Sequence, residues 1–326
     1  MIDTQSIFNI KSDVDFERKA FEIFKFQFEN NRVYRSFCDL INRHPSDVKS
    51  INDIPFLPIQ FFKSHPILSS NASVETVFTS SGTTSSSRSQ HHVVDLAIYE
   101  QSFKKGFNQF YGAFEDYVIL ALLPSYLERE GSSLIYMVNT LIKTSKHSES
   151  GFYLHDISEL RNQLEELDAK GKKILLIGVS FALLDLVETH QFSLKNTIIM
   201  ETGGMKGRRK ELIRSELHSA LKAGFGVTAI HSEYGMTELL SQAYSKGNGI
   251  FNCTPWMKVL TRDTEDPLTI QKSGKTGGLN IIDLANVNSC AFIATQDLGK
   301  VYDNGSFEVA GRFDNSDIRG CNLMVL

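Results

Sequence analysis

A chain of 326 residues, 41% of them hydrophobic, can bury a full core as one large domain or two moderate ones. Its formal charge of -4, with Lys and Arg scattered along the chain, argues against nucleic acid or an anionic membrane as a main partner. The N-terminus MIDTQSIFNIKSDVDFE is acidic and carries no signal-peptide pattern, and the apolar run Tyr117 to Pro124 is far too short to span a bilayer, so a cytoplasmic protein without a transmembrane segment is expected.

Phe16, Ala20, Phe24 and Phe28 recur at helical spacing within residues 13 to 45, and Phe56 to Phe62 bring aromatics among prolines. Residues 1 to 74 are therefore expected to form a helical segment packed on the core. From residue 75 to 245 the rhythm changes. Short β-rich runs (Thr76 to Thr79, Tyr117 to Leu123, Lys173 to Ile177, Thr197 to Met200, Val227 to His231) alternate with helical patterns (Asp95 to Phe110, Ile157 to Lys170, Arg208 to Lys222). Such alternation predicts an α/β fold, with a mainly parallel sheet flanked by helices. From 246 to 326, short strands broken by Gly, Asn and Asp (Met257 to Arg262, Gly278 to Leu284, Ala291 to Ala294, Ser306 to Ala310) predict a small antiparallel β subdomain with a C-terminal tail.

Polar segments punctuate these elements. Thr79 to Arg88, TSSGTTSSSR, follows a predicted strand; it reads either as a solvated loop or as hydroxyls, a glycine and backbone N–H groups able to wrap a polyphosphate, with Arg88 as the cation. It is not a Walker loop. Leu122 to Ser133 follows the next strand and is equally a substrate-side loop or a plain connection. Met200 to Arg208 sets Gly203 and Gly204 at a strand's carboxyl end, either a simple turn or a surface on which a purine could lie flat. His231 to Glu238 is expected to follow an apolar strand and open a helix, offering Tyr234 for stacking, Thr237 for a phosphate oxygen and Glu238 for Mg²⁺. Asp297 ends a strand and could accept from ribose hydroxyls, and Arg312 follows another; each alone reads equally as a solvated turn residue. His91, His92 and His231 read either as polar contacts near the site or, more commonly for an isolated His, as structural or exposed, and none is assigned as a base.

Taken in order, SSGTT at 80 to 84, GG at 203 to 204, YGMTE at 234 to 238, TQD at 295 to 297 and GRFD at 311 to 314 resemble the core motifs of the acyl-adenylate-forming superfamily, which includes acyl-CoA synthetases, firefly luciferase and nonribosomal peptide adenylation domains. More closely, ETGGMKGRRKEL, EYGMTELLSQAYS and GRFDNSDIRGCN resemble the acyl-protein synthetase (LuxE-type) family of bacterial fatty acid reductase systems. The resemblance implies that residues 75 to 245 bind ATP and the acyl group. Ser80, Ser81, Gly82, Thr83 and Thr84 would cradle the phosphates, and Gly203 and Gly204 would line adenine. Tyr234 and Gly235 would pack on the base, Thr237 would contact the α-phosphate, Glu238 would bind Mg²⁺, and Asp297 and Arg312 would hold the ribose. Gln296 stands where the superfamily has glycine, the loop after Thr84 lacks the usual Gly-x-Pro-Lys ending, and the sequence stops twelve residues after Asp314, where larger members continue into a mobile lid domain that carries a catalytic lysine. The expectation is thus a chain without that lid, with Arg88, Lys206, Arg208 and Arg319 as unranked substitutes for the lysine.

Of the four cysteines, Cys38, Cys253, Cys290 and Cys321, none forms a CxxC pair, so neither a disulfide framework nor a zinc site is indicated. Cys321, the sixth residue from the end, reads alone as an inert surface thiol; the family resemblance implies a nucleophile that takes the acyl group from acyl-AMP as a thioester. The expected function is ATP- and Mg²⁺-dependent activation of a fatty acid, with delivery to an acyl-accepting reductase or carrier protein. Transfer to coenzyme A, an amine or a carrier-protein thiol is the competing enzymatic reading, with an aryl acid as a candidate substrate, and nucleotide or acyl-adenylate binding without catalysis is the non-enzymatic one. No GxGxxG fingerprint points to a nicotinamide site for a later reduction.

Overall fold

The computed structural model describes residues 2–81, 88–124, 130–203 and 212–313. Helix α1 (Asp13–Asn30) starts where the Ser12 hydroxyl accepts from the Asp15 amide, with Asp13 and Asp15 placed favourably in its first turn. It buries Phe16, Ala20, Ile23, Phe24, Gln27 and Phe28, the single face that the sequence spacing predicts. Asn31 separates it from α2 (Arg32–Leu40) and caps the latter by accepting from the Tyr34 amide at 2.9 Å. The buried Gln27 spends its amide on distant backbone: Nε2 donates to the carbonyls of Asn286 and Val287, and Oε1 accepts from the Ala291 amide. The N-terminal helices are therefore fastened to a segment near the other end of the described chain.

Strand β1 (Leu57–Pro58) and the short helix α3 (Phe61–Ser64) lead to a hairpin of β2 (Thr76–Thr79) and β3 (Gln90–Val93), paired antiparallel with Thr79 opposite Gln90. Helix α4 (Leu96–Tyr111) follows. The parallel half is built from β4 (Val118–Leu122), α5 (Ser133–Thr144), β5 (Gly151–Phe152), α6 (Ile157–Ala169), β6 (Ile174–Val179), α7 (Ser180–Thr189), β7 (Thr197–Thr202), α8 (Arg214–Phe225) and β8 (His231–Tyr234). Every residue of β4 and β6 is buried, which is why VILAL and ILLIGV show no polar alternation. The antiparallel half comprises β9 (Ala243–Ser245), β10 (Ile250–Cys253), β11 (Met257–Arg262), β12 (Thr276–Asp283), β13 (Phe292–Val301) and β14 (Phe307–Arg312).

Both halves belong to one sheet in the order β11-β12-β13-β14-β10-β9-β8-β7-β6-β4-β5, with β1 added parallel to β13. Pairing is parallel from β5 to β8 and antiparallel beyond. Two expectations near the centre are corrected. The strand expected at Val227 to His231 is instead β8 at His231–Tyr234, and YGMTE opens a turn rather than a helix. The ladder follows polar residues because they have partners on β7, with Ser232 opposite Glu201 and Glu233 opposite Thr202. A helix is excluded after it because the carbonyls of Thr237 and Glu238 and the amides of Leu240 and Ser241 are all committed to residues elsewhere. Among described residues the next helix back, α8, starts at Arg214 and not near Arg208.

Candidate active site

The turn after β8 is closed by a hydrogen bond from the Leu239 amide to the Met236 carbonyl. It is pinned from three directions. His91 Nδ1 on β3 lies 2.9 Å from the Thr237 carbonyl, Asn286 Nδ2 donates to the Glu238 carbonyl at 2.7 Å, and the Asp283 carboxylate accepts from the amides of Leu240 and Ser241 at 2.7 and 3.0 Å. Asp283 also accepts from the Ser241 hydroxyl and the Ala285 amide. Its complete burial pushes the carboxyl up to about 6 in spite of these donors.

The turn leaves Thr237 partly exposed and buries the Glu238 carboxylate, which is 6% exposed. Burial raises its pKa, while a hydrogen bond from Ser89 and the charges of Arg312 and Lys63 oppose that rise. Ser89 and His91 are two residues apart, on one face of the chain entering and forming β3. Ser80 pairs with Ser89, its amide donating to the Ser89 carbonyl and its hydroxyl accepting from the Ser89 amide, both at 3.1 Å. Next to it the Thr79 amide donates to the Gly131 carbonyl at 2.7 Å, so the end of the segment after β4 flanks the same hairpin.

Tyr234 points from β8 across the curved sheet. Its ring packs against Phe251 and Phe307, with centroids 5.8 and 5.4 Å away, and its hydroxyl donates to Asp297 Oδ2 at 2.9 Å. Arg312, opposite Asp297 in the β13–β14 register, donates from Nε to Oδ1 at 3.0 Å. Three strands separate β8 from β13, so curvature of the sheet brings these motifs together. The Asp297 side chain is 7% exposed and that of Arg312 is 74% exposed, so the guanidinium can turn toward a ligand at little cost.

Gly203, with φ of 70°, ends β7 in the left-handed region that favours glycine. Its carbonyl is 2.9 Å from the Ser180 hydroxyl, which also lies 3.1 Å from Glu201 Oε2. Burial pushes the Glu201 pKa up, but His218, Arg214 and Ser232 together bring it below the ordinary range. On the next ladder position Thr202 donates to Glu233 at 2.6 Å; burial and the nearby Glu201 charge push the Glu233 carboxyl up to about 7. A Cβ on Gly235 would come within 2.5 Å of Glu233 Oε1, so a side chain there would require that carboxylate to shift.

The structure thus joins Ser80, Ser81 and Arg88 at the hairpin mouth, Thr237 and Glu238 on the turn it contacts, and Tyr234, Gly235, Asp297 and Arg312 beside that turn; Arg88 is exposed. Gly82, Thr83, Thr84, Gly204 and Cys321 lie outside the described residues, as do Lys206, Arg208 and Arg319. Sequence reasoning named His91 without a role and missed Ser89, Asp283 and Asn286, since each acts on a turn more than 40 residues away and none belongs to a pattern. Among described residues no group of three His, Cys, Asp or Glu could hold a metal unaided. Mg²⁺ takes one or two carboxylates and completes its shell with phosphates and water, and Glu238 is the carboxylate on this turn that could serve as one of them. No helix is long and apolar enough to cross a membrane among the described residues.

Fold and motif order define the class: a fold shared with acid-CoA ligases of the adenylate-forming superfamily. ATP-bound MatB from Rhodopseudomonas palustris is similar at 17% identity and a TM-score of 0.55, over 73% of this chain and 48% of that one. An open conformation of 2-hydroxyisobutyryl-CoA ligase, in complex with 2-HIB-AMP and CoA, is similar at 12% identity and a TM-score of 0.67, over 93% and 70% of the two chains. A long-chain-fatty-acid-CoA ligase from Archaeoglobus fulgidus is similar at 15% identity and a TM-score of 0.51, over 73% and 51%. At these identities the likeness is one of fold, and the chain spans about half the length of the MatB structure. No curated protein matches it in sequence. The profile of the family described as Acyl-protein synthetase, LuxE matches residues 9–326, and the chain belongs to that family.

Proposed function

We propose that this protein activates a carboxylic acid, in particular a long-chain fatty acid, with ATP, and then carries the acyl group on Cys321 for delivery to a partner reductase or carrier protein. The observation that carries the reading is the junction of Tyr234, Asp297 and Arg312 beside the Thr237–Glu238 turn, in a chain of the acyl-protein synthetase family. Gly203, Gly204, Tyr234 and Gly235 would hold the base, Asp297 and Arg312 the ribose, and Ser80 to Thr84 with Arg88 the phosphates. Tyr234 keeps Asp297 oriented, and the buried acceptor favours ribose hydroxyls as donors. Mg²⁺, held by Glu238 together with phosphate oxygens, would offset charge as it develops.

A carboxylate oxygen of the acid attacks the α-phosphorus, the bond to the β-phosphate oxygen breaks, and pyrophosphate leaves. The acid is already ionised at neutral pH, so no general base is required. In the second step the Cys321 thiolate attacks the acyl carbonyl carbon, the bond to the AMP oxygen breaks, and AMP leaves with the electron pair. The test has two parts. ATP–pyrophosphate exchange across an acid panel should appear with long-chain acids; binding without exchange for any acid defeats the adenylation. Labelled fatty acid and ATP should acylate the wild type and leave Cys321→Ser unlabelled while exchange persists; equal labelling of both defeats the thioester. Coenzyme A as acceptor is the second reading, favoured by the likeness to a ligase complexed with an acyl-AMP and CoA, and product analysis with CoA present separates the two.

A further inference from the structure

His91 is 1% exposed and its ring packs edge-on against Phe62 with centroids 5.7 Å apart. A carbonyl only accepts, so the 2.9 Å contact with the Thr237 carbonyl requires the proton on Nδ1. Burial holds the ring's pKa down to about 4, against the opposing effect of Asn286 beside it, and the ring is neutral at pH 7. Nε2 is then a bare lone pair. The neighbouring Asn286 spends Nδ2 on the Glu238 carbonyl, so its Oδ1 is also an acceptor. Both His91 Nε2 and Asn286 Oδ1 are buried and have no hydrogen-bond partner among the described residues. The two residues line one cavity of ≈ 10 Å³ together with Ile98, Leu240 and His92, whose Nδ1 is likewise buried without a partner among the described residues. Two buried acceptors in a space of that size call for a small group that donates twice, and water is that group.

We propose that His91 is a positioning residue for the Thr237–Glu238 turn, fixed as the Nδ1–H tautomer, and that one buried water donates to both His91 Nε2 and Asn286 Oδ1. The arrangement welds β3 to the turn that carries Thr237 and Glu238, through His91 to one carbonyl and Asn286 to the next. Strand and turn are then held in fixed register, so a phosphate bound beside β3 is registered against Thr237 and Glu238. The importance of that registration rests on the adenylation reading; the tautomer and the water do not.

Long-range ¹H–¹⁵N spectra of the histidine rings should show His91 protonated at Nδ1 and bare at Nε2 at pH 7, and a ring protonated at Nε2 overturns the assignment. A crystal structure fine enough to show ordered water should place one within hydrogen-bond distance of both acceptors; an empty gap overturns the bridge. In exchange assays His91→Gln, whose N–H sits near the Nε2 position, should lose on the order of tenfold or more in kcat with little change in the KM for the acid. His91→Asn, whose N–H falls near Nδ1, should recover most of that loss, and equal loss in both variants overturns the positioning role. Exchange absent from the wild type would instead defeat the adenylation reading, with the spectra still deciding the tautomer.

Discussion

Glu233 shows how one buried side chain sets a pH response. Its carboxyl stands near 7 in the fold, against an ordinary value of 4.5, because burial disfavours the anion and Glu201 adds a like charge. The folded state therefore holds a proton that the unfolded chain has already lost. Stability falls as pH rises from about 4.5 to about 7, reaching a penalty of roughly 3 kcal/mol above that window. Glu233→Gln keeps an acceptor for Thr202 and cannot ionise. Its melting temperature should exceed that of the wild type by a margin that widens between pH 5 and pH 8; a margin independent of pH would contradict the assignment. The same residue explains a limit of sequence reading. HSEY looks too polar for a central strand, yet Ser232, Glu233 and Tyr234 are all buried, with Glu233 and Tyr234 bonded to Thr202 and Asp297.

At the scale of elements, the turn from Gly235 to Gln242 has no regular structure of its own and is shaped by Asp283. The order runs further. Trp256 Nε1 donates to Ser102 Oγ, whose own proton goes to Ser241 Oγ, which in turn donates to Asp283. Asp283→Ala strands several buried donors and should cost about 3–5 kcal/mol, read as a lower denaturation midpoint at unchanged slope. The amides of Leu240 and Ser241 should exchange with solvent faster in that variant, and protection equal to the wild type would refute the pinning role. Periodicity made α1, α4 and α6 legible, since their apolar faces repeat locally, and continuous apolar runs did the same for β4 and β6. Motif order singled out Tyr234, Thr237, Glu238, Asp297 and Arg312, which the fold brings to neighbouring positions. Asp283 and Asn286 stayed hidden because a single polar residue in a strand or loop reads as solvated until its distant partner is known.

For the molecule as a whole, the sheet runs without a break from the parallel half through β8, β9 and β10 into the antiparallel half. Unfolding should accordingly be one cooperative event. The sole tryptophan of the sequence, Trp256, is 3% exposed, meets Phe8 edge-on at 5.0 Å and is bonded to α4 through Ser102, so its emission samples three parts of the fold. Its fluorescence and the far-ultraviolet circular dichroism should change at the same denaturant concentration; an earlier fluorescence change would reveal separate unfolding units.

The Gln27 fastening bears on how the protein is made. Its amide reaches backbone groups 259, 260 and 264 residues further along the chain. At translation rates of roughly 5–20 residues per second, α1 leaves the ribosome some 13 to 50 seconds before its docking surface exists. Through that interval Phe24 and Phe28 can meet Tyr34 and His44, but Phe24 lacks Phe292, Phe16 lacks Lys258 and Gln27 lacks its backbone partners, so the nascent chain spends most of its synthesis with an amphipathic helix only partly seated and available to chaperones.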